Sequence, residues 1–153
     1  VLEAQEAAIA RVKPGLTAED VHDAAVHVLV QGLVDLGLLV GEVDGLIEQG
    51  SYRHLYMHRT GHWLGLDVHD VGAYRLGEHH VQLEPGIVLT VEPGLYISDR
   101  LAVPEGQPAI DDRWKGIGIR IEDDVAVMDC AEHACGHEVL TAGALKAVDA
   151  MER

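Results

Sequence analysis

Apolar residues in the first fifty positions recur at helical spacing. Val1, Ala4, Ala8, Ile9 and Val12 predict a first helix, and Lys13-Pro14-Gly15 stops it. Thr17 is placed to cap a second helix, with Glu19 and Asp20 in the first turn, where negative charge suits the helix dipole. Val21, Ala24, Ala25, Val28, Leu29 and Leu36 form its apolar stripe, which ends near Gly37. A shorter helical piece is predicted over Val43 to Glu48. These segments read as one-sided cover for a core, and nothing in them points to chemistry.

After Gly50 the pattern changes to short β-rich runs separated by Gly and Pro. They are Tyr52–Met57, Ile87–Val91, Leu95–Ile97, Ile117–Ile121 and Val125–Met128, and a closing helix is expected within Leu140–Met151. Helices first and strands afterwards predict an α+β fold with a mostly antiparallel sheet. No repeat, low-complexity tract or linker divides the chain.

Composition narrows the class. The 153 residues are 48% hydrophobic and 24% charged, the make-up of a folded domain. With 11 Lys+Arg against 26 Asp+Glu the formal charge is −15, which leaves little surface for neutralising phosphates and disfavours a nucleic-acid partner. The longest apolar run, Leu29 to Val40, is too short for a bilayer and carries Gln31 and Asp35, so no membrane association is expected. The start, Val1-Leu2-Glu3-Ala4, is neither an initiator Met nor a signal peptide. Two cysteines are too few for a disulfide scaffold, which makes a reducing, cytoplasmic setting the expectation. The ten histidines stand out because they are clustered.

Three segments of the β-rich half carry candidate chemistry. The first is His58-Arg59-Thr60-Gly61-His62-Trp63-Leu64-Gly65-Leu66-Asp67-Val68-His69-Asp70. His62 and His69 are an odd number of residues apart, so on a straight strand they would face opposite sides. Both can reach one site only if the chain bends between them, and the bend is expected at Gly61 or Gly65. In the second segment, Thr90-Val91-Glu92-Pro93-Gly94-Leu95-Tyr96, Pro-Gly holds Glu92 at a strand end. In the third, Ile117-Gly118-Ile119-Arg120-Ile121-Glu122-Asp123-Asp124, alternation puts Arg120 and Glu122 on one face of a strand expected to be buried. One His and two Glu converging from separate strands form an oxygen-rich ligand set that suits a harder ion such as Mn²⁺. Bridging carboxylates are compatible with a two-metal site that activates one water. His58 and His69 are then available for substrate contact or proton transfer.

Together and in this order, the three segments resemble the pita-bread metallopeptidases, most of all their bacterial Xaa-Pro aminopeptidase (aminopeptidase P) branch. The string His62-Trp63-Leu64-Gly65-Leu66-Asp67-Val68-His69-Asp70 is the most distinctive part. Leu83-Glu84-Pro85-Gly86 and the helical lead-in fit as well, and the resemblance runs from Val1 to about Val127. It implies a pita-bread (creatinase/aminopeptidase) fold with helices over a curved sheet. It implies that His62, Glu92 and Glu122 are metal ligands, with Glu122 bridging. It implies that His58 and His69 bind substrate or stabilise the tetrahedral intermediate, and that Arg120 orients an acidic ligand. The implied reaction uses two divalent ions, Mn²⁺ by expectation, sharing a hydroxide that attacks the scissile carbonyl of a peptide with proline in second position.

The family's other two ligands are aspartates on a hairpin preceding such helices. Glu19, Asp20 and Asp23 lie in a helical stretch and do not match them. The expectation is therefore that residues 1–153 are the C-terminal portion of a catalytic domain, an incomplete and inactive piece that hides an open edge in a second copy or in the missing half. A prolidase-like Xaa-Pro dipeptidase, or a non-enzymatic peptide-binding or assembly module, are the alternatives. Cys130-Ala131-Glu132-His133-Ala134-Cys135-Gly136-His137 is read as an ordinary turn with incidental thiols, because its spacing is unlike zinc knuckles. His79-His80 beside Glu78 is expected in a solvated loop, and Arg75 is a candidate for the substrate entrance.

Overall fold

The computed structural model describes residues 1–131 and 133–152. Helix α1 (Leu2–Ile9) ends one turn earlier than its apolar spacing suggested, and α2 (Ala18–Asp35) begins at Thr17. Thr17 Oγ1 accepts the Asp20 N–H at 3.2 Å and Asp20 Oδ2 accepts the Thr17 N–H at 2.8 Å, a reciprocal cap. Helix α3 (Val43–Glu48) has the predicted bounds.

The strands are β1 (Arg75–Leu76), β2 (His79–His80), β3 (Val88–Val91), β4 (Gly94–Ile97), β5 (Ile117–Arg120), β6 (Asp123–Val127) and β7 (His137–Val139). Among the described residues every strand pair is antiparallel, as the α+β reading expected: β1 with β2, β3 with β6, β6 with β7, and β4 with β5. A one-turn helix α4 (Val148–Met151) follows, much shorter than the closing helix the tail suggested.

Register explains how the site is positioned. Val88 faces Ala126 and Val91 faces Asp123, while Gly94 faces Arg120 and Ile97 faces Ile117. Stepping one residue along each strand carries the first ladder onto the second. The two pairs are thus arms of one long ribbon, interrupted where Glu92 and Pro93 lie opposite Glu122 and Ile121. Pro93 has no N–H to give the ladder, and its carbonyl accepts from Ile121 at 3.3 Å. Residues 60–64 add an antiparallel edge along β3. Glu92 donates to the Thr60 carbonyl (2.6 Å), Thr90 to that of His62 (2.9 Å), and Leu64 to that of Val88 (3.0 Å).

The core lies between α1 and α2 on one side and this sheet on the other. Ala4, Ala8, Val21, Ala25, Leu29 and Leu33 bury against Leu89, Val91, Val125 and Val127. The small residues of α1 let the helix sit close to the sheet. Two elements depart from expectation. Tyr52–Met57 is a turn: Tyr52, Leu55 and Tyr56 are buried at helical spacing, and Tyr56 N donates to the Tyr52 carbonyl at 3.1 Å. Leu36 is 52% exposed because the buried stripe of α2 runs through Val26, Val30 and Leu33 instead. No helix among the described residues is long and apolar enough to cross a membrane.

Candidate metal centre

Three strand positions bring the ligand-type residues together. His62 lies across β3 from Thr90, and Glu92 and Glu122 face each other where the ribbon breaks. One donor atom from each of His62, Glu92 and Glu122 lies within 4.8 Å of the others. His62 Nδ1 is 3.0 Å from the Trp63 carbonyl, which can only accept, so Nδ1 donates there and Nε2 is the nitrogen left to face the glutamates. That Nε2 stands 3.3 Å from Glu92 Oε1. Thr90 Oγ1 accepts the His62 N–H at 3.1 Å and donates to Glu92 Oε1 at 3.2 Å, fixing the two relative to one another.

Arg120 stands two residues before Glu122 on the same face. Its Nη1 donates to Glu92 Oε2 at 3.0 Å and also contacts Glu122. Carboxylates directly opposite on a ladder repel. One guanidinium against two carboxylates leaves the cluster net negative, with His62 Nε2 beside it as a nitrogen donor. The donor set therefore fits a divalent ion, with oxygen prevailing over nitrogen and no sulfur present. The strand carrying Arg120 is not buried as expected. Ile119 on β5 is 50% exposed, because β5 pairs with β4 alone.

His58 and His69 arrive from either side. His58 Nδ1 is held by the Arg59 carbonyl at 2.8 Å, and its Nε2 accepts the Tyr96 hydroxyl at 2.8 Å. Burial pushes the Tyr96 hydroxyl above its usual range, so it keeps a proton available to that bond. His69 packs edge-on against His62 with ring centroids 4.2 Å apart. The expected bend is present: residues 64–70 fold back until Asp70 N donates to the Trp63 carbonyl at 3.1 Å. The hinge glycines are needed for close approach. A methyl on Gly61 would overlap the Thr90 carbonyl oxygen, and one on Gly65 the Asp70 carboxylate.

All of this opens on a cavity of about 950 Å³, lined by His58, His62, His69, Glu92, Tyr96 and Arg120 together with Glu19, Arg59, Arg75 and His80. Arg75 lines the cavity, and His80 does not sit in a plain solvated loop. It belongs to the β1–β2 hairpin and stands 3.8 Å from Glu19. Contrary to the sequence reading, α2 contributes to the site. Glu19 takes both Arg59 nitrogens (3.2 and 2.6 Å), and that hydrogen-bonded guanidinium lowers its carboxyl pKa.

His22 is buried behind the cavity wall. Its Nδ1 accepts the Thr60 N–H at 3.2 Å and lies 2.8 Å from Thr60 Oγ1, which in turn is 2.8 Å from the Tyr56 hydroxyl. The signal that could have found His22 is its place four residues before Val26 on the buried stripe. Among the described residues the cysteine tract contributes nothing to the cluster, and Cys130 and Cys135 are free and exposed. Glu132 lies outside the described residues.

Comparison with known proteins agrees with the resemblance. The model of metallopeptidase family M24 matches residues 1–129. A Haemophilus influenzae Xaa-Pro aminopeptidase is 47% identical over 152 residues, covering 99% of this chain and 32% of the relative. A Homo sapiens Xaa-Pro dipeptidase is 35% identical, covering 92% of this chain and 32% of its own length. The solved structure of Pseudomonas aeruginosa aminopeptidase PepP superposes with a TM-score of 0.87 at 49% identity, over 99% of this chain and 32% of that one. The chain thus spans about a third of the length of these relatives.

Proposed function

The chain belongs to metallopeptidase family M24 and has its pita-bread fold, and from that premise we propose that it is part of a metal-dependent aminopeptidase releasing the N-terminal residue from peptides with proline in second position. The observation that carries the reading is the convergence of His62, Glu92 and Glu122 at the break in one ribbon, beside a cavity large enough for a peptide end. In this reading His62 Nε2 and the two glutamates hold divalent metal, Mn²⁺ by the hardness of the donors, and two ions once an aspartate pair outside these residues is added. When bound, such ions activate a water and polarise the scissile carbonyl.

The chain's own residues do the rest. Arg120 and Thr90 keep both glutamates aimed inward. His58 and Tyr96 form a hydrogen-bonded pair placed to hold or pass a proton, and His69 places a second imidazole on the wall where the substrate carbonyl would lie. The Glu19–Arg59 pair shapes the outer rim. The two free thiols suit a reducing, cytoplasmic setting, and the exposed β5 edge suits association with a second copy or with the remainder of the catalytic domain. A prolidase-like dipeptidase is disfavoured by its lower identity, 35% against 47%.

The test is to read the gene upstream of Val1 and assay its full product. An encoded aspartate pair on a hairpin, with Mn²⁺-dependent release of the first residue from Xaa-Pro peptides, is the expected result. A gene without that pair, or release indifferent to proline, overturns the reading. Normal turnover with stoichiometric metal by residues 1–153 alone would overturn their incompleteness.

A further inference from the structure

A second polar cluster lies directly behind the glutamates. Asp123 opens β6, faces Val91 across the ladder and is 1% exposed. Alternation along the strand turns it away from Glu122. Lys146 Nζ donates to both of its oxygens at 2.7 Å, Thr141 Oγ1 donates to Oδ1 at 2.7 Å, and Gln5 Nε2 to Oδ2 at 3.1 Å. Gln5, fully buried on α1, also donates to the Val91 carbonyl at 3.4 Å. Thr141 Oγ1 accepts the Asp124 N–H at 3.0 Å, and Leu140 N donates to the Asp124 carbonyl at 2.8 Å.

One buried carboxylate therefore ties α1, the end of β3, the start of β6 and the segment after β7 to a single point. That point is one residue from Glu92 on one strand and one residue from Glu122 on the other. A buried ion pair is an inefficient way to gain stability, since well-packed apolar residues of similar volume do as well or better. What it supplies is a fixed position. Here that position is the only register at which two mutually repelling glutamates stand opposite each other.

We propose that Lys146 is a positioning residue of the metal centre: through Asp123 it sets the separation of Glu92 and Glu122 and hence the affinity for the ion, without touching it. The proposal rests on the metal reading of the preceding section. Thr141 and Gln5 complete the same clamp from the other sides, so the segment after β7 is part of the site although it lines no wall of the cavity.

The experiment titrates Mn²⁺ into the full gene product that contains these residues, following the free-ion EPR signal, and measures amide hydrogen exchange in parallel. Lys146→Met should weaken Mn²⁺ binding about tenfold or more. It should also speed exchange at residues 90–92 and 121–124 but not along β4. Lys146→Arg should restore both. Should Lys146→Met fail to fold, Asp123→Asn combined with Lys146→Met replaces the ion pair by a neutral one of similar volume, and it should show the same weakened binding. Equal Mn²⁺ affinity in folded variants and wild type overturns the clamp while leaving the metal reading intact. Wild-type full product that takes up no Mn²⁺ overturns the metal reading and the clamp with it.

Discussion

His22 offers the sharpest test of how α2 supports the site. Its Nδ1 accepts the Thr60 N–H, a donor with no other role, so the imidazole must be neutral with its proton on Nε2. Protonating Nδ1 would break that bond and orphan a buried amide. Burial, reinforced by nearby Arg59, accordingly lowers the pKa of His22 from 6.5 to about 4. A histidine depressed in the folded state binds fewer protons than in the unfolded chain between those two values. Stability is therefore intact above 6.5 and falls as pH drops through the window. At about 1.4 kcal/mol per pH unit the loss is about 3 kcal/mol, similar to the cost of leaving a buried donor unsatisfied.

His22→Asn places an amide oxygen near the position of Nδ1 and does not titrate. Urea unfolding followed by circular dichroism at a series of pH values should show wild type losing about 3 kcal/mol more than His22→Asn between neutral pH and pH 4. The acid-sensitive carboxylate Asp20 is common to both proteins and cancels in the difference, while Glu19, which senses His22, adds only a lesser contribution. Parallel stability curves for the two proteins would refute the reasoning.

Gly61→Ala should cost about 1–3 kcal/mol in urea midpoint and weaken metal uptake, because its methyl must push residues 60–64 off the Thr90 carbonyl. Glu122→Gln should leave the thermal midpoint of the metal-free chain unchanged or raised, since it removes one of two opposed carboxylates, while lowering Mn²⁺ affinity measured by EPR. A fall in that midpoint would mean that the glutamates serve the fold instead of the ion. Leu33→Ala, at the fully buried centre of the α2 stripe, should cost about 2–5 kcal/mol in urea unfolding without altering Mn²⁺ binding to folded protein.

Much of the site was legible because its chemistry is local. Glu92 before Pro-Gly and Arg120 two residues before Glu122 declare strand ends and faces by themselves, and the odd spacing of His62 and His69 called for a bend that residues 64–70 supply. The α+β order and the antiparallel pairing followed from where helical spacing gives way to short β-rich runs. Contributions that depend on distant packing were not legible. Glu19 meets Arg59 only once α2 lies across the sheet, and Lys146 reaches Asp123 only after the segment following β7 turns back. The aromatic run at Tyr52–Met57 suggested a strand by composition, yet its burial at Tyr52, Leu55 and Tyr56 obeys helical spacing, and it meets β4 through one backbone hydrogen bond, Tyr96 N to the Leu55 carbonyl, instead of a ladder. Leu36 misled in the opposite way: it extends the apolar pattern of α2 beyond the end of the surface that α2 covers.

Whether His62, Glu92 and Glu122 hold a divalent ion is tested most directly by crystals of the full gene product equilibrated with Mn²⁺ and measured at a wavelength where manganese scatters anomalously. An anomalous peak bonded to His62 Nε2 and to carboxylate oxygens of both glutamates is expected, with Arg120 drawn back from at least one of them. A fully loaded crystal with no peak between these residues, or with the ion bound elsewhere and Arg120 still bridging Glu92 and Glu122, would contradict it.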